Sequence, residues 1–192
     1  GYNNTIGNYN VFIGNRAGSM NTATSYNTFL GYLAGTVSTG TSNTFLGNQA
    51  GEANMGGGYN TFLGVFAGNK NKEGDYNTYI GRGAGYNNIT GGYNVAVGRN
   101  AGFSNTAGSY NVYIGQYAGY SSTLSERLYI HSSSSTTAVS LVYGIFTEGS
   151  EKLRVNGDLE YTGLLTHVSD ARFKKNIENI NEALDKVVRL RG

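Results

Sequence analysis

One phrase of ten residues dominates this chain. "YNTFLGVFAG" at 59–68 returns as "YNVFIGNRAG", "YNTFLGYLAG", "YNTYIGRGAG", "YNVAVGRNAG" and "YNVYIGQYAG". Anchored on its Asn, the repeat stands at Asn10, Asn27, Asn43, Asn60, Asn77, Asn94 and Asn111, with spacings of 17, 16, 17, 17, 17 and 17 residues. The closing Ala-Gly pairs keep step and end at Gly18, Gly35, Gly51, Gly68, Gly85, Gly102 and Gly119. Seven copies at one short period specify a solenoid in which each copy is a coil stacked on the last. The single short repeat has lost a residue from the variable loop 36–42, as expected of a deletion at a loop tip. Residues 1–10 match 85–94 nearly letter for letter, so the array is expected to be already under way at Gly1.

The coil is stranded. "NVFIG", "NTFLG" and "NVYIG" are short, β-branched and aromatic, and Gly and Asn bound them. Helices of useful length do not fit between Gly residues so closely spaced. A 17-residue period predicts two short strands and two turns per coil, paired in parallel from coil to coil. At about 4.8 Å per coil, seven of them make a rod of roughly 34 Å.

Alternation along the strand separates two faces. Val11, Thr28, Thr44, Thr61, Thr78, Val95 and Val112 share one with Ile13, Leu30, Leu46, Leu63, Ile80, Val97 and Ile114. Phe12, Phe29, Phe45, Phe62, Tyr79, Ala96 and Tyr113 take the other. Both are largely apolar, and a 17-residue coil encloses only one. The remaining stripe exceeds the ~400 Å² that a soluble monomer leaves bare, so like coils are expected to pack on like coils of other copies. The Asn column reads as a turn ladder satisfying backbone groups.

Composition narrows the class. Charged residues are only 14%, but 16 Tyr and 8 Phe give a buried core that a disordered chain lacks. With no Cys there is neither a disulfide framework nor a thiolate metal site. No stretch of 18 apolar residues is present, so no membrane span is expected. Residues 1–119 hold five basic and three acidic residues, too few for a nucleic-acid groove. The Gly spacing of "GRGAGYNN" at 81–88 lacks the ending and the strand–helix setting of a phosphate loop. "IGNRAG" fits a hexapeptide β-helix only once per 17 residues, and Asp75 alone does not make a calcium repeat. The Thr column at 28, 44, 61 and 78 has an ice-binding look, but its Leu and Ile neighbours assign it to a packed face. No catalytic triad, carboxylate pair or metal cluster is found, and no cofactor is expected.

"NVAVGRNAG" and its siblings resemble the head repeats of trimeric autotransporter adhesins. Those heads are left-handed parallel β-rolls packed as trimers, with a somewhat shorter repeat than 17. The resemblance covers residues 1–119 and implies a homotrimer.

Beyond Gly119 the repeat stops. Residues 120–165 read as a β-strand cap and connector, with strands in "RLYIH" (127–131), "AVSLVYGIF" (138–146) and "KLRVNGDLEYTG" (152–163), because the last coil of a solenoid needs its edge covered. From 166 to 192 the character changes again. Asn179 and Glu182 form a capping box for a helix over about 180–190, and Ile177, Ile180, Leu184 and Val187 give it one apolar seam.

"SDARFKKNI" with "ALDKVVRL" resembles the start of the intramolecular-chaperone domain that ends phage tailspikes, endosialidases and related tail fibres. Such domains assemble three chains and then cut themselves off between Ser and Asp. The resemblance implies Ser169 as nucleophile, Asp170 as the residue after the scissile bond, and Lys174 as base. His167 is the rival base. A Ser hydroxyl needs a neutral amine or similar group to activate it, and a Lys must lose solvent to serve.

The expected molecule is therefore an all-β, trimeric parallel β-solenoid of about seven 17-residue coils, with a β cap and a short C-terminal helix. Its expected role is attachment outside the cell, as a tail fibre or tailspike of a phage or phage-like injection system. A bacterial surface adhesin is the alternative within the same architecture, and a fibre-borne glycosidase with its catalytic domain upstream is the alternative from another class. Expected partners are two further copies, a fibre or baseplate component, and a cell-surface glycan or other receptor. That receptor would be met by the variable loops 19–25, 36–42, 52–58, 69–75, 86–92 and 103–109.

Overall fold

The computed structural model describes residues 3–133 and 140–158. All ten strands found there belong to one sheet whose order follows the chain. They are β1 Val11–Ile13, β2 Thr28–Leu30, β3 Thr44–Leu46, β4 Thr61–Leu63, β5 Thr78–Ile80, β6 Val95–Val97, β7 Val112–Ile114, β8 Arg127–Ile130, β9 Val142–Ile145 and β10 Lys152–Val155. From β1 to β8 every pair is parallel and in register, so Phe29 lies on Phe45 and Phe45 on Phe62. This is a parallel β-solenoid, with no helix among the described residues.

Each coil holds one three-residue strand, where the period had suggested two. The rest of the coil is held by turns. After the strand, the chain enters the left-handed region at Arg16, Leu33, Gln49, Phe66, Asn100 and Tyr117, with φ between 55° and 60°. Such a residue breaks extended backbone but aims its N–H at the preceding coil: Gln49 donates to Tyr32 O at 2.8 Å and Phe66 to Asn48 O at 2.9 Å. The ladder continues around the coil through turns, without a second strand.

The ring face is the enclosed one. Phe29, Phe45, Phe62, Tyr79 and Tyr113 are fully buried, stacked above the buried Ala34, Ala50, Ala67, Ala84 and Ala118 of the opposite wall. Consecutive rings lie 4.8–5.0 Å apart from Phe12 to Tyr79, the spacing of the coils themselves. The interior is one ring wide. Gly51 shows why the wall closes on Gly: it sits at φ 57°, and a Cβ there would come within 2.5 Å of the Phe45 ring. Each buried Phe contributes roughly 1.5–3 kcal/mol by area, so the stack is the main stabilising element.

Two columns of buried Asn complete the coil. In the first, each backbone N–H donates to the Oδ1 of the Asn one coil back, at 2.9–3.0 Å from Asn27 to Asn111. Their Nδ2 groups reach the far end of the same coil: Asn60 donates to Gly74 O at 2.8 Å and Asn77 to Gly91 O at 2.9 Å. The second column is Asn21, Ser38, Asn54, Asn71, Asn88 and Asn105. There Asn71 donates to Gly74 O at 2.9 Å and Asn88 to Gly91 O at 2.8 Å, three residues on in both cases. The short repeat places its deletion here. Between Ser38 and Gly40 only Thr39 remains, the three-residue bridge has no room, and Ser replaces Asn.

The stack outlasts the written repeat by one rung. Arg127 takes the Asn position, its N–H donating to Asn111 Oδ1 at 2.9 Å, and β8 pairs in parallel with β7. Then β9 and β10 turn antiparallel and give the last coil a different closing edge. The strands expected within 127–131, 138–146 and 152–163 are found as the shorter β8, β9 and β10, the last ending at Val155, and 138–139 lie outside the described residues. Residues 159–165 of the expected connector, and the helix expected over 180–190, lie outside the described residues.

Candidate functional site

Neither Ser169, Asp170 and Lys174 nor the rival His167 lies among the described residues. Within those residues no group of three His, Cys, Asp or Glu side chains is placed to hold a metal ion. No helix among them is long and apolar enough to cross a membrane. The surfaces that remain are columns, and three of them carry chemistry.

The first is the outer face of the sheet. With the rings enclosed, Ile13, Leu30, Leu46, Leu63, Val97, Ile114 and Ile130 are exposed in one outward column, with the half-buried Ile80 between Leu63 and Val97, and Leu46 and Leu63 are each 39% exposed. Thr28, Thr44 and Thr61 are exposed beside them. On a single chain this face is uncovered, including the Thr column that sequence had assigned to a packed face.

The second is a tyrosine ladder. Tyr9, Tyr26, Tyr59, Tyr76, Tyr93 and Tyr110 precede the Asn column, all with φ of 56–64°. Left-handed backbone costs a residue with a Cβ about 1–2 kcal/mol. Two compensations offset it. From Tyr26 onward each N–H donates to the preceding coil, as Tyr76 does to Gly58 O at 3.1 Å, and neighbouring rings stack at 4.8–5.0 Å. Loss of solvent within this stack, then the flanking Tyr59 and Tyr93, then Asp75, hold the Tyr76 phenol above its ordinary range. Ser42, in the shortened coil, interrupts the ladder.

The third is a cleft beside the middle coils, with a volume of about 210 Å³, lined by Phe66, Arg82, Gly83, Tyr86, Asn100 and Phe103. Tyr86 and Phe103 stack along its wall at 5.1 Å, and Tyr120 continues the stack beyond it at 5.0 Å. Phe66 meets Tyr86 edge to face at 6.2 Å. Lys70 Nζ lies 5.1 Å from the Tyr86 ring centre and donates to Asn87 Oδ1 at 3.0 Å. The Arg99 guanidinium lies 5.5 Å from the Tyr117 ring centre.

Residues 86 and 103 open two of the variable loops. Those loops are less free than expected, because five of the six carry an inward Asn of the second column: Asn21, Asn54, Asn71, Asn88 and Asn105. The sixth, 36–42, carries Ser38 in the same place. Sequence reasoning missed this column, although its signal is written out as Asn followed three residues later by Gly at 54, 71, 88 and 105.

No family model matches the chain, and no curated protein or solved structure is significantly similar to it.

Proposed function

We propose that this chain is the shaft of a homotrimeric fibre that attaches a particle to a surface outside the cell, as a tail fibre or tailspike of a phage or phage-like injection system. One observation carries the reading: coil after coil presents an outward aliphatic residue in the same column, on a face that the closed coil leaves bare. Stripes of this length seek a partner with the same periodicity, and another copy of the chain has it. The resemblance to adhesin heads supports three copies around one axis. The Ser-Asp motif at 169–170 supports an assembly that ends in one self-cleavage per chain, with Ser169 as nucleophile and Lys174 as base.

Sedimentation of the full chain at micromolar concentration tests the assembly, with a trimer expected; a monodisperse monomer overturns it. Intact mass tests the cleavage. Wild type should release a fragment beginning at Asp170, while Ser169→Ala and Lys174→Ala stay whole yet assemble. If wild type stays whole once assembled, the motif has no protease role here.

A further inference from the structure

The cleft beside Gly83 is where three columns of the repeat depart from their pattern together. Two residues past the strand, the column reads Asn15, Tyr32, Asn48, Val65, Arg82, Arg99: arginines appear only on the two successive coils that flank the cleft. In the left-handed column that follows, Gly83 alone lacks a side chain, and Asn100 Oδ1 occupies part of the space a Cβ would take. At the start of the next loop, aromatic side chains appear only from Tyr86 onward, as Tyr86, Phe103 and Tyr120. The coil itself requires none of these departures, since the other rungs close without them. Together they produce a recess with an aromatic wall, the Arg82 side chain and no acidic residue in its lining.

We propose that this recess is a binding subsite for an acidic sugar, a single ring bearing a carboxylate, of the uronic or sialic acid kind. The proposal rests on the reading of the chain as an attachment fibre and names what it attaches to. The volume is below the ~300–1,000 Å³ of pockets for drug-sized ligands and matches one ring. The guanidinium fork matches a carboxylate in two parallel hydrogen bonds. The amide of Asn100 offers a donor and an acceptor to hydroxyls, and the ring edges along the wall meet the apolar side of the sugar. A polynucleotide would need a continuous basic track. The five basic and three acidic residues of 1–119 do not supply one. Single sites of this size bind at roughly millimolar affinity, and repetition over several chains multiplies them.

The full chain is titrated by ligand-observed NMR with glucuronic acid, N-acetylneuraminic acid, glucose and oligo-deoxythymidine. Binding of at least one acid about tenfold tighter than glucose is expected. Arg82→Gln should weaken it about tenfold, while Arg16→Gln leaves it unchanged. Gly83→Leu should abolish binding by filling the recess. That variant keeps the coil, because Leu33 already occupies the equivalent left-handed position at φ 57°. Equal binding of glucose and the acids, tighter binding of the oligonucleotide, or indifference to Gly83→Leu each overturns the subsite. The wider reading is separated by retention of the same proteins on immobilised glycans. If wild type and variants are retained alike, attachment stands and this site is wrong. If wild type is retained on none, glycan attachment fails with it.

Discussion

The backbone N–H of Asn77 donates to Asn60 Oδ1 at 2.9 Å, while Asn60 Nδ2 donates across its own coil to Gly74 O at 2.8 Å. One buried side chain therefore does two things at once: it joins coil to coil and fastens the beginning of a coil to its end.

Removing that side chain leaves the buried Asn77 N–H without a partner and takes one of two donors from Gly74 O, which keeps Asn71 Nδ2. An orphaned buried group costs about 1–3 kcal/mol, and Asn60→Ala should destabilise the array by about that much. Asn60→Asp keeps the acceptor but loses the donor and buries a charge, and should be no better. Urea denaturation checks both. A loss below about 0.5 kcal/mol for Asn60→Ala would show that the ladder is redundant.

The rings inside the coil are Phe until Tyr79, whose hydroxyl is fully buried, with the Asn94 amide as polar neighbour but no well-formed hydrogen bond. Burial pushes this phenol far above its ordinary value of 10. The sign follows. Below pH 10 both folded and unfolded chains keep the proton, and stability is fully present. Above it the unfolded chain ionises while the folded one does not, so stability falls as pH rises. Tyr113, raised for the same reason first, adds to the effect. Tyr79→Phe should match or exceed wild type at pH 7, by about 1 kcal/mol at most, and exceed it increasingly from pH 10 to 11. Denaturation midpoints at pH 7, 9, 10 and 11 check this; parallel losses in both proteins would show that Tyr79 is not the source.

The exposed tyrosines pose the opposite problem, side chains in a backbone region that suits Gly. Tyr76→Ala loses the ring contacts and keeps the strain, whereas Tyr76→Gly loses the contacts and removes it. Glycine should therefore be the more stable of the two by about 1 kcal/mol, against the usual order in which Ala exceeds Gly. Thermal midpoints of the two variants suffice, and Ala above Gly would mean the left-handed turn does not persist.

Much of this architecture was legible from period and alternation, and what was not has physical causes. The strand face to be enclosed could not be chosen, because Thr-Leu and Phe are both apolar enough to bury. The choice is made by the opposite wall, where Ala and Gly leave a gap one ring wide. The second strand was expected because the period has room for it, but left-handed residues such as Gln49 and Phe66 break the extended chain. The eighth rung escaped notice because Arg127 stands for Asn and His131 for Gly, leaving only Leu-Tyr-Ile of the phrase. The cleft was hidden for another reason. Its residues lie in columns that vary from coil to coil, so Gly83 or Arg82 alone looks like drift, and only stacking brings the three departures together.

Neighbouring residues on one strand separate folding from assembly. Phe62 is buried within the coil, and Leu63, next in sequence, faces out. Phe62→Asp places an unpaired carboxylate in a dry interior and opens the ring stack, a loss of at least 3–5 kcal/mol on cavity grounds alone. That variant should lose the coil's secondary structure. Leu63→Asp places its charge in water on a single chain and should leave the coil folded, with a stability change under about 0.5 kcal/mol for an isolated copy. In an assembly built on the aliphatic column the same carboxylate is repeated in every copy at the shared surface, and association should fall by orders of magnitude. Circular dichroism and sedimentation on both variants give the comparison. A folded, fully assembled Leu63→Asp protein would rule out the outer strand face as the contact between copies and direct the search to the tyrosine ladder.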